Sequence, residues 1–208
     1  MPAQEARYWI SRDQYCDALD RAYTQIQKGR QIGITFDDGN RSDLEIAAPE
    51  LVARGMTGQF FILTGRLDDP QYLSPADIQT LQGHGMAIGL HGHDHIDWRR
   101  LDAAGFKAET ITARHTLAAI TGHPITTAAI PFGAYNKKVI AGLARNGFRK
   151  IYTSDGGQTS DRRRVQHRSS VQADMSSVQI DAILTGQETI HCTARRAIKS
   201  WLKTYVIG

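Results

Sequence analysis

Cysteine is nearly absent: Cys16 and Cys192 are the two in 208 residues, far apart and in no metal-binding or redox spacing. This argues against a disulfide scaffold, a thiolate metal site or a cysteine nucleophile, and two reduced thiols in a cytoplasmic protein are expected. Long apolar runs are missing too. No segment approaches the roughly 18 apolar residues of a membrane span, and the leading "MPAQEARYWISRDQYCDALDR" holds no apolar stretch of signal-peptide length. Charge of one sign is also scarce, with 25 Lys plus Arg against 21 Asp plus Glu, a net of +4. The densest basic run, Arg162-Arg163-Arg164, would serve a nucleic-acid reading as a phosphate patch. No aromatic or recognition-helix pattern surrounds it, so a solvated loop and no nucleic-acid partner are expected.

What remains is an ordinary globular composition, 41% hydrophobic and 22% charged, in a chain long enough for one core. A single domain over residues 1–208 is expected. Ser11 and Gln14 form a capping-box pattern, and apolar residues then recur at helical spacing until Gly29. A strand ends at Phe36, "RSDLEIAAPELVARG" reads as a helix with a kink at Pro49, and "TGQFFIL" (57–63) reads as a second strand. Ser74-Pro75 opens a helix over about 75–83, "MAIGL" (86–90) is a third strand, and residues 98 to 120 are mostly helical. "TTAAI" (126–130), a helix in "NKKVIAGLARNG", "KIYTS" (150–154) and "RVQHRSSV" (164–171) bring the strand count to about six. Strands alternating with helices imply a parallel sheet, open or closed into a barrel.

Such folds place chemistry at the C-terminal ends of strands. Asp37-Asp38, His91 and Pro131-Phe132 each follow a predicted strand directly. "FDDG" alone is a turn signal, yet a helix follows rather than a hairpin partner, and two adjacent carboxylates repel unless a cation separates their roles. The loop "HGHDH" is open to two readings, an exposed polar turn or a metal site; the i, i+4 relation of His91 and His95 would aim both at one ion across a helical turn.

"TFDDG", "HGHDH" and "PFGAYN", in this order, resemble the successive motifs of the polysaccharide deacetylases with a NodB-homology domain, carbohydrate esterase family 4. "GQFFIL", "LQGHGMAIGLHGHDH" and "WISRDQYCDAL" support the likeness, which runs from about residue 8 to 172. The resemblance implies an α/β fold, a distorted (β/α) barrel of fewer than eight strands, about seven. It implies Asp38, His91 and His95 as metal ligands and Asp37 as the catalytic base, with His93 left outside the ligand set. The implied reaction is metal-dependent hydrolysis of an N-acetyl group on a sugar. Zinc suits the nitrogen and oxygen ligands, and cobalt or nickel would also fit. Phe132 would offer its backbone N–H to the oxyanion, which Pro131 cannot do, and Pro131 and Tyr135 would line the substrate side.

Two departures stand out. Many members carry an arginine two residues before the motif proline to orient the base, and here that residue is Ala129. The general acid, a histidine after a late strand, has His191 as its nearest match, although its surroundings read as a helix and favour a plain helix-surface histidine, and His167 or a bound water are substitutes. The terminal stretch carries Arg195, Arg196, Lys199 and Lys203 beside an apolar stripe. It reads as a helix docked on the barrel wall, with peripheral membrane contact as the alternative. The expected substrate is an N-acetylated precursor of a cell-surface polysaccharide or lipopolysaccharide O-antigen. The competing functions are a carbohydrate-binding protein that has lost hydrolysis, or a hydrolase of a formyl or cyclic imide group.

Overall fold

In the computed structural model, which describes residues 6–187, the alternating pattern becomes six strands: β1 (Thr35–Phe36), β2 (Gln59–Leu63), β3 (Ala87–Gly92), β4 (Thr127–Ala129), β5 (Lys150–Thr153) and β6 (Val165–His167). They pair in sequential order, and every pairing is parallel. Right-handed crossovers between successive neighbours all fall on one side of such a sheet. The helices therefore cover one face and the other face curls inward, giving a distorted, open (β/α) barrel of fewer than eight strands.

Local chemistry sets the helix boundaries. Ser11 and Gln14 form the expected capping box of α1 (Arg12–Gln27), and Ser74 with Asp77 does the same for α3 (Pro75–Gly83). Asn136 caps α6 (Lys137–Arg145) by accepting the Val139 N–H at 3.0 Å, and Ser176 caps α7 (Ser177–Thr185). The helix expected to kink at Pro49 takes another course: Pro49 is the second residue of α2 (Ala48–Ala53), which continues without a break from the helical residues before it. The irregularity is upstream, a π-helical turn over Asp43–Ala47. The stretch expected to be mostly helical is so: it begins with a 3₁₀ turn, Trp98–Arg100, and then runs as α4 (Ala103–Lys107), a π-helical turn at Ala108–Thr112, and α5 (Ala113–Thr121).

Side chains alternate across the sheet. Phe60, Ile62, Leu90, Ala128 and Ile151 join the buried core beneath the helices, with Leu51, Leu81, Leu117 and Leu143. The opposite face is mixed: the Phe61 and Tyr152 rings pack at 5.0 Å, the Tyr152 hydroxyl donates to Gln59 at 3.2 Å, and Gln59 bonds Thr127. Gly89 sits opposite Phe61, where a Cβ would come within 2.5 Å of the Phe61 ring and 2.6 Å of the Thr127 hydroxyl. No helix among the described residues is long and apolar enough to cross a membrane.

Gly89→Ala should therefore overpack the inner face and lower the unfolding free energy by about 1–3 kcal/mol, read from urea denaturation. An unchanged midpoint would contradict this tight packing.

Candidate metal centre and active site

The corner after β1 separates its two carboxylates by backbone geometry. Asp38 has φ of +78° and Gly39 of +73°, so the chain reverses within two residues and turns the neighbouring side chains apart. Asp38 Oδ1 then lies 3.3 Å from His91 Nε2 and 3.5 Å from His95 Nε2. The three donor atoms fall within 4.8 Å of one another.

His91 owes its aim to an irregularity in β3. Ile62 pairs with Leu90 and Leu63 with Gly92, so His91 is an extra residue bulged between them; bulges commonly re-aim a side chain beside a site. His95 arrives by a loop, not by the helical turn expected from i, i+4 spacing: β3 ends at Gly92, with φ of +104°, and His95 itself has φ of +55°. His93 stands outside the cluster, its Nδ1 2.9 Å from the Thr64 hydroxyl and its Nε2 3.7 Å from Asp94.

These residues fit a divalent ion on their own chemistry. His91 Nδ1 is 2.9 Å from the Ala129 carbonyl, which can only accept, so Nδ1 carries the proton and Nε2 keeps its lone pair for a ligand. Asp38 Oδ1 is buried with no hydrogen-bond donor to meet it. Lone pairs thus converge without a proton between them, which is costly unless a cation is shared. Ligands about 2.0–2.1 Å from a tetrahedral ion stand roughly 3.4 Å apart, close to the 3.3 and 3.5 Å found here.

Asp37 is held by a residue that sequence reasoning missed. Arg168, just past β6, donates from Nη1 to Asp37 Oδ1 at 2.7 Å and from Nη2 to Oδ2 at 2.8 Å, and also to the Thr35 hydroxyl at 2.9 Å. Its guanidinium lies over the rings of Phe61 and Tyr152, 5.4 and 5.7 Å from their centroids. Burial pushes the Asp37 carboxyl up, but Arg168 and the imidazoles of His91 and His95 outweigh it and hold the group at about 2. Asp37 is therefore a carboxylate at neutral pH, and its side chain keeps 32% exposure against 13% for Arg168, so solvent reaches the aspartate. Ala129 lacks the arginine seen at that position in similar sequences, and Arg168 makes the expected contact from another strand. The one available signal was positional: Arg168, like Asp37 and Phe132, follows the end of a strand.

The segment "PFGAYN" divides its work. Pro131 is buried; Phe132 is 59% exposed, has φ of +58°, and sets its ring 4.3 Å from that of His95. The Phe132 N–H finds no acceptor among the described residues. Tyr135, expected on the substrate side, is buried, and its hydroxyl donates to Asp155 at 2.7 Å, so it braces the loop from behind. His167 lies 3.1 Å from the Thr153 hydroxyl and 3.6 Å from Asp155; strand alternation puts it on the face opposite Arg168, away from Asp37. His191, Cys192 and the basic terminal stretch lie outside the described residues.

Arg168→Met should leave metal content intact but lower kcat/KM about 10–100-fold, the usual scale for removing a partner behind a reacting group. Without the guanidinium the upward push of burial gains weight, so the acid limb of the kcat/KM profile should move to higher pH. An unmoved limb would mean that Arg168 does not control this carboxyl.

Comparison with known proteins agrees with this geometry. The family model for polysaccharide deacetylases matches residues 24–151. YxkH of Bacillus subtilis (strain 168), whose name places it among polysaccharide deacetylases, is 24% identical over 127 residues, 61% of this chain and 46% of that protein. The chain thus spans about half the length of this curated relative. Among solved structures, the Streptococcus pyogenes deacetylase PplD, in complex with acetate, superposes with a TM-score of 0.74 at 17% identity, covering 91% of this chain and 93% of that one. A polysaccharide deacetylase from Bacillus cereus gives a TM-score of 0.78 at 16% identity, covering 88% and 65%. Because the family model runs through more than half of the sequence and spans both corners that build the ion site, the chain belongs to the polysaccharide deacetylase family.

Proposed function

We propose that the chain is a metal-dependent carbohydrate N-deacetylase, hydrolysing the N-acetyl group of a sugar in a precursor of a cell-surface polysaccharide or O-antigen, in the cytoplasm. The observation that carries this reading is the division of labour between neighbouring carboxylates, Asp38 turned to two imidazoles and Asp37 to Arg168. One carboxylate is arranged to ligate and the other to accept a proton. Asp38, His91 and His95 would hold the ion, which when bound supplies Lewis acidity toward an amide carbonyl and makes water a better proton donor. Zinc suits this donor set, with cobalt and nickel as substitutes.

The chain's own groups do the rest. Asp37, ionised and open to solvent, takes the proton of the attacking water, and Arg168 fixes its orientation through two parallel N–H bonds. The Phe132 N–H donates to the carbonyl oxygen as negative charge grows on it. The exposed Phe132 ring beside His95 offers an apolar face to the acetyl group or the sugar. The departing amine needs a proton in return; Asp37 holds one after the first step, and His191 is the candidate separate acid. The PplD structure was solved in complex with acetate, the product of such a reaction. The alternative, a binding protein that has lost hydrolysis, rests on Ala129 and on the unplaced general acid; Arg168 beside Asp37 answers the first ground, and His191 lies outside the described residues.

Acetate release from N-acetylated nucleotide sugars and lipid-linked glycans tests the proposal. Metal-loaded protein should release acetate, chelation should abolish release, and added Zn²⁺ or Co²⁺ should restore it. Asp37→Asn should reduce kcat by at least about 100-fold, the lower range for a lost general base, while retaining bound metal. Release that survives complete metal removal would overturn the reading.

A further inference from the structure

Glu109 is a buried carboxylate, 2% exposed, carried by the π-helical turn between α4 and α5. Oε2 accepts the backbone N–H of His93 at 2.9 Å and the indole N–H of Trp98 at 3.2 Å, and Oε1 accepts the backbone N–H of Asp94 at 3.0 Å. Among the described residues no ion pair reaches it, so N–H donors alone hold this carboxylate. Two of those donors are the peptide groups immediately before His95.

That short loop is conformationally expensive. Gly92 adopts φ of +104° and His95 φ of +55°, both outside the regions L-residues favour. Such backbone persists only where the surroundings over-determine it. From one side Gly65 closes on the loop, its N–H donating to the His93 carbonyl at 3.0 Å, and Thr64 holds the His93 ring at 2.9 Å. From the other side Glu109 takes both N–H groups, and Gly92 is shaped around it: a Cβ there would stand 2.5 Å from Glu109 Oε2. A helix with regular turns would place one residue fewer ahead of this position, and π-turns recur where a side chain must be redirected at a site.

We propose that Glu109 is a positioning residue for the cation site: it fixes residues 92–95 so that His95 Nε2 reaches Asp38. The proposal rests on the metal reading above. Glu109 touches neither ligand atom; it sets the path of the backbone that delivers one of them.

The test is Co²⁺ and Zn²⁺ affinity of the full chain, by competition with a chromophoric chelator, alongside thermal melting of the metal-free protein. Glu109→Gln sets an NH₂ donor against N–H donors and should weaken affinity about 10–100-fold, the range for outer partners of metal ligands. Glu109→Asp keeps the charge but draws the carboxylate back by one methylene, and should weaken affinity to a similar extent, which separates position from charge. It also carries the test if Glu109→Gln does not fold cooperatively. Leu117→Ala, a core truncation on α5, should lower the melting temperature and leave affinity unchanged. Wild-type affinity in either Glu109 variant, or an equal loss in Leu117→Ala, overturns the proposal. If the wild type binds no better than Asp38→Ala, the metal reading itself fails and takes this inference with it.

Discussion

Two carboxylates on consecutive residues at the mouth of a partly buried barrel cannot both be ionised unless each is given its own positive partner. The rest of the site is organised around meeting that condition. The left-handed backbone at Asp38 points the pair in different directions, one toward two imidazole nitrogens and one toward a guanidinium. A third carboxylate shows what happens without such a partner. Asp43, buried just beyond the same corner, has its carboxyl pushed well up by burial and then by Asp38 and Asp37, and its Oδ2 meets no donor. Arg168 supplies positive charge to Asp37, the proposed ion would supply it to Asp38, and Asp43, with neither, is the one that favours its neutral form.

The partner of Asp37 also answers a problem of architecture. Among the described residues β1 and β6 are the first and last strands of the sheet and do not pair with each other. Arg168 spans that gap, anchored by its backbone N–H on the Thr153 carbonyl at 3.1 Å and by its guanidinium on Thr35 and Asp37. Its stem and planar head lie against Phe61 and Tyr152, where an arginine packs well without losing hydrogen bonds. One side chain thus joins these two strands and holds the base.

Much of this was legible in the sequence because strand ends are where a parallel sheet exposes side chains. Asp38, His91 and His95 form the expected cluster, and the Ser11 and Ser74 caps lie where their side chains dictate. The route of His95 was not legible: i, i+4 spacing reads as a helical turn, whereas a bulge at His91 and two left-handed residues deliver the same convergence by loop. Arg168 was hidden because its bond to Asp37 spans 131 residues and depends on how the strand ends of β1 and β6 are brought together in space. Tyr135 shows the converse. A tyrosine in a motif at a strand end looks exposed, yet Gly133 packs against Ser154 and turns the segment so that its hydroxyl reaches buried Asp155.

The two helical irregularities follow the same geography. The π-turns at Asp43–Ala47 and Ala108–Thr112 lie in the helices that follow β1 and β3, the two strands whose ends supply the candidate ion ligands. The helices after β2 and β4, α3 and α6, are regular, and those corners supply none. Each π-turn carries a buried acid toward the site, Asp43 or Glu109. An inserted residue weakens helical hydrogen bonding, so its presence at both ligand corners needs a local return. Glu109 shows what that return is: two backbone N–H groups of the loop before His95 and the Trp98 indole gain acceptors that a regular helix, with its side chains one residue out of phase, would not bring to them.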